Sequence, residues 1–254
     1  MALGKPYNSV IIAHRKRGEH SGMEIELEVL RCEGPDSKPY TQRIRYVGEN
    51  ENATVATALT EINADPDARD TAGNPVSAIR WEHSCLQRKC GGCAMVINHR
   101  PRLACDTRLR DYNGVIRLEP LRKFPLIADL MVDRSILREN LKTIGAWLRE
   151  ETTAEEAVTG TAYEASRCLQ CGCCLEVCPN FYGGGRFFGM AAMVPVARLI
   201  SELPKSRQKE LYGAYKKHVY GGCGKSLACR DICPAGIDIE MLLSRTNGSV
   251  YRLH

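Results

Sequence analysis

The sequence predicts an α+β protein built as two units, a sheet-and-helix half followed by a helical half. Three observations predict it. In MEIELEVLR (23–31) and again in YTQRIRYV (40–47), apolar and polar residues alternate with a period of two, the pattern of half-buried strands. Beyond Pro120 the apolar residues recur at helical spacing instead. Finally, 13 cysteines fall into groups, one in the first half and two in the second, at spacings that suit metal ligands. With 254 residues and 44% hydrophobic content the chain can bury two modest cores.

The elements follow in order. Ile25, Leu27 and Val29 alternate with Glu24, Glu26 and Glu28, and the turn-rich CEGPDSKP joins this strand to the next as a hairpin. In NATVATALTEINADP, Val55, Leu59 and Ile62 share one helical face before Pro66 stops the helix. AMVINHRPRL reads as two short strands joined through Asn98 to Pro101, and GVIRLEP adds a last strand. After Pro120, FPLIADLMVDRS and ILRENLKTIGAWLREE read as helices or helical turns, with the polar EETTAEEAVTG as an exposed connection. FFGMAAMVPVARLI reads as a buried helix holding Pro195. RQKELYGAYKKHV sets Leu211, Tyr215, His218 and Val219 on one face, with Gly221 and Gly222 as the stop and His218 in a packing role. The boundary falls between Pro120 and Asp133, and we divide the chain into residues 1–122 and 123–254.

Several function classes drop away. The opening MALGKPYNSVIIAHRKRGEH has no apolar core between a charged start and a small-residue cleavage site, so a reducing compartment is expected, where clustered cysteines bind metal. No apolar run approaches the roughly 18 residues of a membrane span, so any membrane attachment must come from a partner. The net charge of +5 is mild, HRKR (14–17) reads as a solvated loop, and no aromatic-and-basic alternation is present to stack bases, so no nucleic-acid partner is expected. No acid–base pair, nucleophile motif or phosphate loop stands out, and no catalytic residue is assigned.

The chemistry lies in the cysteines. Cys85, Cys90 and Cys93 stand as C-x4-C-x2-C with Cys105 following, the spacing of plant-type [2Fe-2S] sites, and Gly91 and Gly92 let the backbone wrap close to sulfide. A zinc site would pair one short C-x2-C with another. Cys168, Cys171 and Cys174 stand as C-x2-C-x2-C, followed by Cys178-Pro179, the bacterial ferredoxin run whose fourth cysteine serves the other cluster. Three thiolates from one helical turn are expected, with Cys173 as a bystander and Cys32 a plain buried residue. The downstream run CGKSLACRDICP has Ser226 where a four-iron site needs a thiolate, so Cys178, Cys223 and Cys229 are expected to hold [3Fe-4S]. Cys233 then joins Cys168, Cys171 and Cys174 around [4Fe-4S]. Serine oxygen can also ligate iron, which leaves a complete cube held by Ser226 as the alternative.

On RWEHSCLQRKCGGCAMVINHRPRLAC, FPLIADLMVDRS, CLQCGCCLEVCPN and CGKSLACRDICP, the chain resembles the iron-sulfur subunits of the succinate dehydrogenase and fumarate reductase (complex II) family. The resemblance implies a β-grasp [2Fe-2S] ferredoxin domain followed by an all-α ferredoxin domain with [4Fe-4S] and [3Fe-4S] centres. It implies electron transfer between the FAD of a partner flavoprotein, which holds the dicarboxylate site, and quinone at a membrane anchor subunit. The expected place is peripheral, on the cytoplasmic face of the plasma membrane. Ubiquinone-reacting members carry a Trp and a His where this chain has Gly183 and Gly224, so it looks more like the menaquinone-linked type with haem b in the anchor. Asn180, Tyr182 and Lys225 read as surface contacts to a partner. Two other readings compete: the same wire serving a flavoprotein reductase for a different unsaturated acid, and a zinc-stapled nucleic-acid-binding module.

Overall fold

Strand β1 (Met23–Arg31) pairs antiparallel with β2 (Tyr40–Gly48), Leu27 opposite Ile44, as the alternation predicts. The structure, a computed structural model, describes residues 23–147 and 160–251. Ile25, Leu27, Val29, Ile44 and Tyr46 are buried on the core face. Glu28, on the opposite face, is buried as well. The register sets it directly between Arg43 of β2 and Arg117 of the strand on the other side, and both guanidinium groups pair with its carboxylate, at 2.8 and 2.6 Å. That flanking pair offsets the cost of removing the charge from water.

Helix α1 (Val55–Ala64) begins at Thr54, whose hydroxyl accepts from the Thr57 N–H, while the Thr57 hydroxyl accepts from the Thr54 N–H. It turns Val55, Leu59 and Ile62 into the core. Strands β3 (Ala94–Ile97) and β4 (Arg100–Leu103) form a tighter hairpin than the spacing suggests. Asn98 and His99 alone make the turn, both left-handed (φ 46° and 65°), so the strand resumes at Arg100 and Pro101 faces Val96. Pro101 is tolerated because β4 is an edge strand. Strand β5 (Val115–Glu119) inserts between the two hairpins, parallel to β1 and antiparallel to β3, giving the sheet order β2-β1-β5-β3-β4.

The structure corrects one predicted element. FPLIADLMVDRS is a hairpin, β6 (Leu126–Ala128) against β7 (Met131–Val132), and not a helix. Asp129 at its tip is left-handed (φ 46°) and buried. Its carboxylate accepts from the backbone N–H of Cys32 and of Arg80, each at 2.9 Å, and pairs with the buried Arg31 at 3.0 Å. These long-range contacts outweigh the local apolar spacing that reads as helical.

In the second half, α2 (Ser135–Ile144) stops at the left-handed Gly145, and the predicted continuation through LREE lies outside the described residues from 148 on. The expected EETTAEEAVTG connection lies outside them too, apart from Gly160, as does the HRKR run. Then come α3 (Gly160–Ser166), α4 (Cys173–Glu176), α5 (Met190–Glu202), α6 (Lys205–His218), α7 (Ala228–Ile232) and α8 (Ile239–Tyr251). Helix α5 is the buried one, as predicted, with Met193, Val194 and Val196 fully enclosed. Pro195 lacks the N–H that would bond the Ala191 carbonyl, and the Gln170 side-chain amide donates to that oxygen instead, at 2.9 Å. In α6, Leu211 and Tyr215 are buried, and His218 stacks on Phe188 with its Nδ1 2.8 Å from the Arg186 carbonyl. No described helix is long and apolar enough to cross a membrane.

Candidate metal centres

The loop CLQRKCGGC runs between α1 and β3. Its Leu86, Arg88 and Gly91 are left-handed (φ 51°, 59° and 73°), and these reversals turn backbone N–H groups inward. The N–H groups of Gln87 and Lys89 both donate to Cys85 Sγ at 3.3 Å, that of Gly92 to Cys90 Sγ at 3.4 Å, and that of Arg88 to Cys105 Sγ at 3.3 Å. Cys105 reaches the loop from a turn of 3-10 helix after β4, and Cys93 is buried at the foot of β3. Backbone N–H donation draws the Cys85 thiol down to about 7, whereas burial pushes Cys93 up to about 12. All four sequence-predicted ligands of the first centre belong to this loop and the turn beside it.

Cys168, Cys171, Cys174 and Cys233 line one cavity, walled on its apolar side by Met190, Val194 and Ile237. They do not come from one helical turn, as the spacing suggests. Cys168 and Cys171 lie in a loop bent by left-handed Gln170 (φ 50°) and Gly172 (φ 86°), and only Cys174 is in α4. Cys233 ends α7. Cys173 is fully buried but does not line the cavity, and its thiol donates to Cys171, which draws Cys171 down to about 7. Burial pushes Cys168 and Cys174 upward. The Gln170 amide that serves the Ala191 carbonyl also donates to Cys168 Sγ, at 3.2 Å. Cys32 stands apart, its thiol donating to the Gly34 and Ser37 carbonyls.

The third group comprises Cys178 just beyond α4, Cys223 after the turn Tyr220–Gly222, and Cys229 in α7. Burial and the neighbouring Cys178 and Cys223 push Cys229 up to about 11. Ser226 lies between the left-handed Lys225 and Leu227 and is exposed. Buried thiols that raise one another's pKa by mutual repulsion make a poor set of anions alone. A cationic centre held among them would supply the missing charge, and soft sulfur donors with N–H groups aimed at them suit iron.

The two halves meet where the first two groups meet. A Cβ built on Gly91 would lie 2.7 Å from the Leu169 carbonyl oxygen and 2.9 Å from Cys171 Cβ, so the two cysteine loops are in backbone contact. The Arg88 guanidinium donates to the Pro234 carbonyl at 2.9 Å, and Arg134 reaches both loops. Sequence reasoning missed Arg134 and Gln170; neither has a spacing signal.

Known proteins match this layout. A family described as "2Fe-2S iron-sulfur cluster binding domain" matches residues 26–139, and a "4Fe-4S dicluster domain" matches residues 164–237. The succinate dehydrogenase iron-sulfur subunit of Bacillus subtilis (strain 168) is 32% identical over 234 residues, 88% of this chain and 91% of that protein. This chain belongs to the family of succinate dehydrogenase and fumarate reductase iron-sulfur subunits. A second member, the fumarate reductase iron-sulfur subunit of Wolinella succinogenes, is 31% identical over 219 residues, 80% of this chain and 87% of that one. The fold is shared with a chain of the Mycobacterium smegmatis Sdh1 complex in the apo form, at a TM-score of 0.69 and 21% identity, over 89% of this chain and 96% of that one. Members of the family are electron-transfer subunits of an oxidoreductase complex, and this chain carries a 2Fe-2S domain ahead of a 4Fe-4S domain.

Proposed function

We propose that this chain conducts electrons between the FAD of a partner flavoprotein and menaquinone at a membrane anchor subunit, holding three iron-sulfur centres on the way. Cys85, Cys90, Cys93 and Cys105 hold [2Fe-2S]; Cys168, Cys171, Cys174 and Cys233 hold [4Fe-4S]; Cys178, Cys223 and Cys229 hold [3Fe-4S]. The observation that carries this reading is the cavity lined by four cysteines, of which Cys233 comes from the far side of the third group. The interleaving of the ferredoxin runs calls for that arrangement. Bound there, the clusters supply one-electron redox centres. The chain's own residues do the rest: Gln87, Lys89, Gly92 and Arg88 aim N–H groups at sulfur, the apolar wall of Met190 and Val194 excludes water, and Gln170 orients Cys168.

The exposure of Ser226 supports a trinuclear third centre, because an exposed residue does not stand enclosed among the three thiols as a fourth ligand would. The menaquinone assignment rests on Gly183 and Gly224, which offer no side chain where ubiquinone-reacting relatives have Trp and His. A Cβ at Gly224 would meet Asn180 Oδ1 at 3.0 Å, so a side chain there would have to displace the exposed Asn180 amide. Family membership supports a flavoprotein and a membrane-anchor partner, and haem b in that anchor and a peripheral place on the cytoplasmic face are part of the same proposal. We keep the division at 122/123, three residues beyond the end of β5, and assign the first unit to the β-grasp type and the second to the all-α ferredoxin type.

Iron and acid-labile sulfide analysis of anaerobically purified protein should yield about nine iron atoms per chain. Far fewer would overturn the ligand set. EPR of air-oxidised protein should show a trinuclear signal, and Ser226→Cys should convert it to a four-iron centre of lower potential. Unchanged spectra in that variant would place position 226 outside the coordination sphere.

A further inference from the structure

The cysteine loops account for how the proposed clusters are held, but not for what fixes one loop against the other. The Arg134 side chain occupies that junction. It stands at the start of α2, just after the β6–β7 hairpin, and only 12% of it is exposed. Its Nη1 donates to the Gly91 carbonyl at 2.9 Å and to the Cys171 carbonyl at 3.3 Å, while Nη2 donates to the Gly92 carbonyl at 2.6 Å and pairs with Glu82. One guanidinium therefore holds backbone oxygens on both the Cys90–Cys93 loop and the Cys168–Cys174 loop. The planar fork of Arg suits this better than the single point of Lys.

We propose that Arg134 is a positioning and tuning residue for the first two centres. It clamps the two cluster-bearing loops together, and its charge raises the reduction potentials of both. This rests on the ligand sets proposed above. Reduction adds one electron, and so negative charge, to a centre; a fixed positive charge nearby favours that state. The counter-charge of Glu82 is 51% exposed and screened by water, whereas the mostly buried guanidinium is screened less. The third group, with Cys178, Cys223 and Cys229, has no hydrogen bond to Arg134 among the described residues.

The test is EPR-monitored redox titration of the purified complex, comparing wild type with Arg134→Gln and Arg134→Lys. In wild type, the presence of all three signals with full iron content checks the ligand sets independently of Arg134. In Arg134→Gln we expect the midpoints of the [2Fe-2S] and [4Fe-4S] centres to fall together while that of the trinuclear centre stays put. Arg134→Lys, which keeps charge but loses the fork, should recover part of the downward shift. Unmoved midpoints in an Arg134→Gln protein with full cluster content overturn the proposal. So does an equal shift of all three centres, since that would be a general loosening. If Arg134→Gln loses clusters, Arg134→His decides: its first two midpoints should fall relative to the trinuclear one as the imidazole loses its charge between about pH 5 and 8, and midpoints that keep step with the trinuclear centre refute the proposal.

Discussion

Adding one methyl group at Gly91 probes the contact between the two cysteine loops, across which the proposed electron path runs. Gly91 is left-handed, with φ 73°, which costs any other L-residue about 1–2 kcal/mol. The new Cβ would also sit 2.7 Å from the Leu169 carbonyl oxygen and 2.9 Å from Cys171 Cβ, where ordinary contact begins at 3.4 Å. Neither neighbour is the end of a flexible side chain, so the loops must separate, an overpacking cost of about 1–3 kcal/mol. Gly91→Ala should therefore destabilise the protein by about 2–5 kcal/mol. Gly73→Ala is the control: it has φ 86° and nothing within 4 Å of a built Cβ, so it carries the backbone cost alone. Thermal unfolding of the cluster-loaded proteins reads the difference, at about 2–4 °C per kcal/mol for a domain of this size. Pre-steady-state electron transfer from the first centre to the second should slow in Gly91→Ala and not in Gly73→Ala. Equal losses of stability in the two variants would refute the reasoning, because the loops would then not be in contact.

Asp129→Ala should cost about 3–5 kcal/mol in a denaturant titration, because it leaves the buried Arg31 without its counter-charge and orphans the Cys32 and Arg80 N–H groups. A loss below 1 kcal/mol, about what an exposed pair is worth, would mean the pair is hydrated. Acid stability should depend on Glu28, whose carboxyl is held below its ordinary 4.5 by hydrogen bonds from Arg43 and Arg117. Its stabilisation is complete above the unfolded value and is lost as the pH falls through the lower folded one. Glu28→Gln should flatten that acid limb of the stability profile. Parallel curves for wild type and variant below pH 4.5 would contradict the assignment.

Much of the fold was legible because it is written in short-range patterns. The β1–β2 hairpin and α1 follow from alternation and helical spacing within windows of about ten residues. The ligand candidates are legible for the same reason, since cluster loops draw three ligands from one short segment. The hairpin β6–β7 was not legible, because Asp129 bonds to Cys32, 97 residues away in sequence. Glu28 shows the same limit. Its alternation says solvent, yet its two arginine partners come from different strands, and only the register of the assembled sheet brings both to it.

By itself, the sequence determined the kind of chemistry: which thiols come in groups, that a serine stands at position 226 of the last run, and that the first half is a sheet and the second helical. The tertiary structure decided what lies between the groups. It made Cys168 and Cys171 loop residues, brought Cys233 into their cavity, gave Gln170 the Ala191 carbonyl that Pro195 leaves free, and set Arg134 across both loops. The physical reason is the reach of each interaction. Periodicity and ligand spacing act along a few residues of chain, whereas a buried charge or a freed carbonyl is satisfied by whichever group the packed fold brings within hydrogen-bond distance.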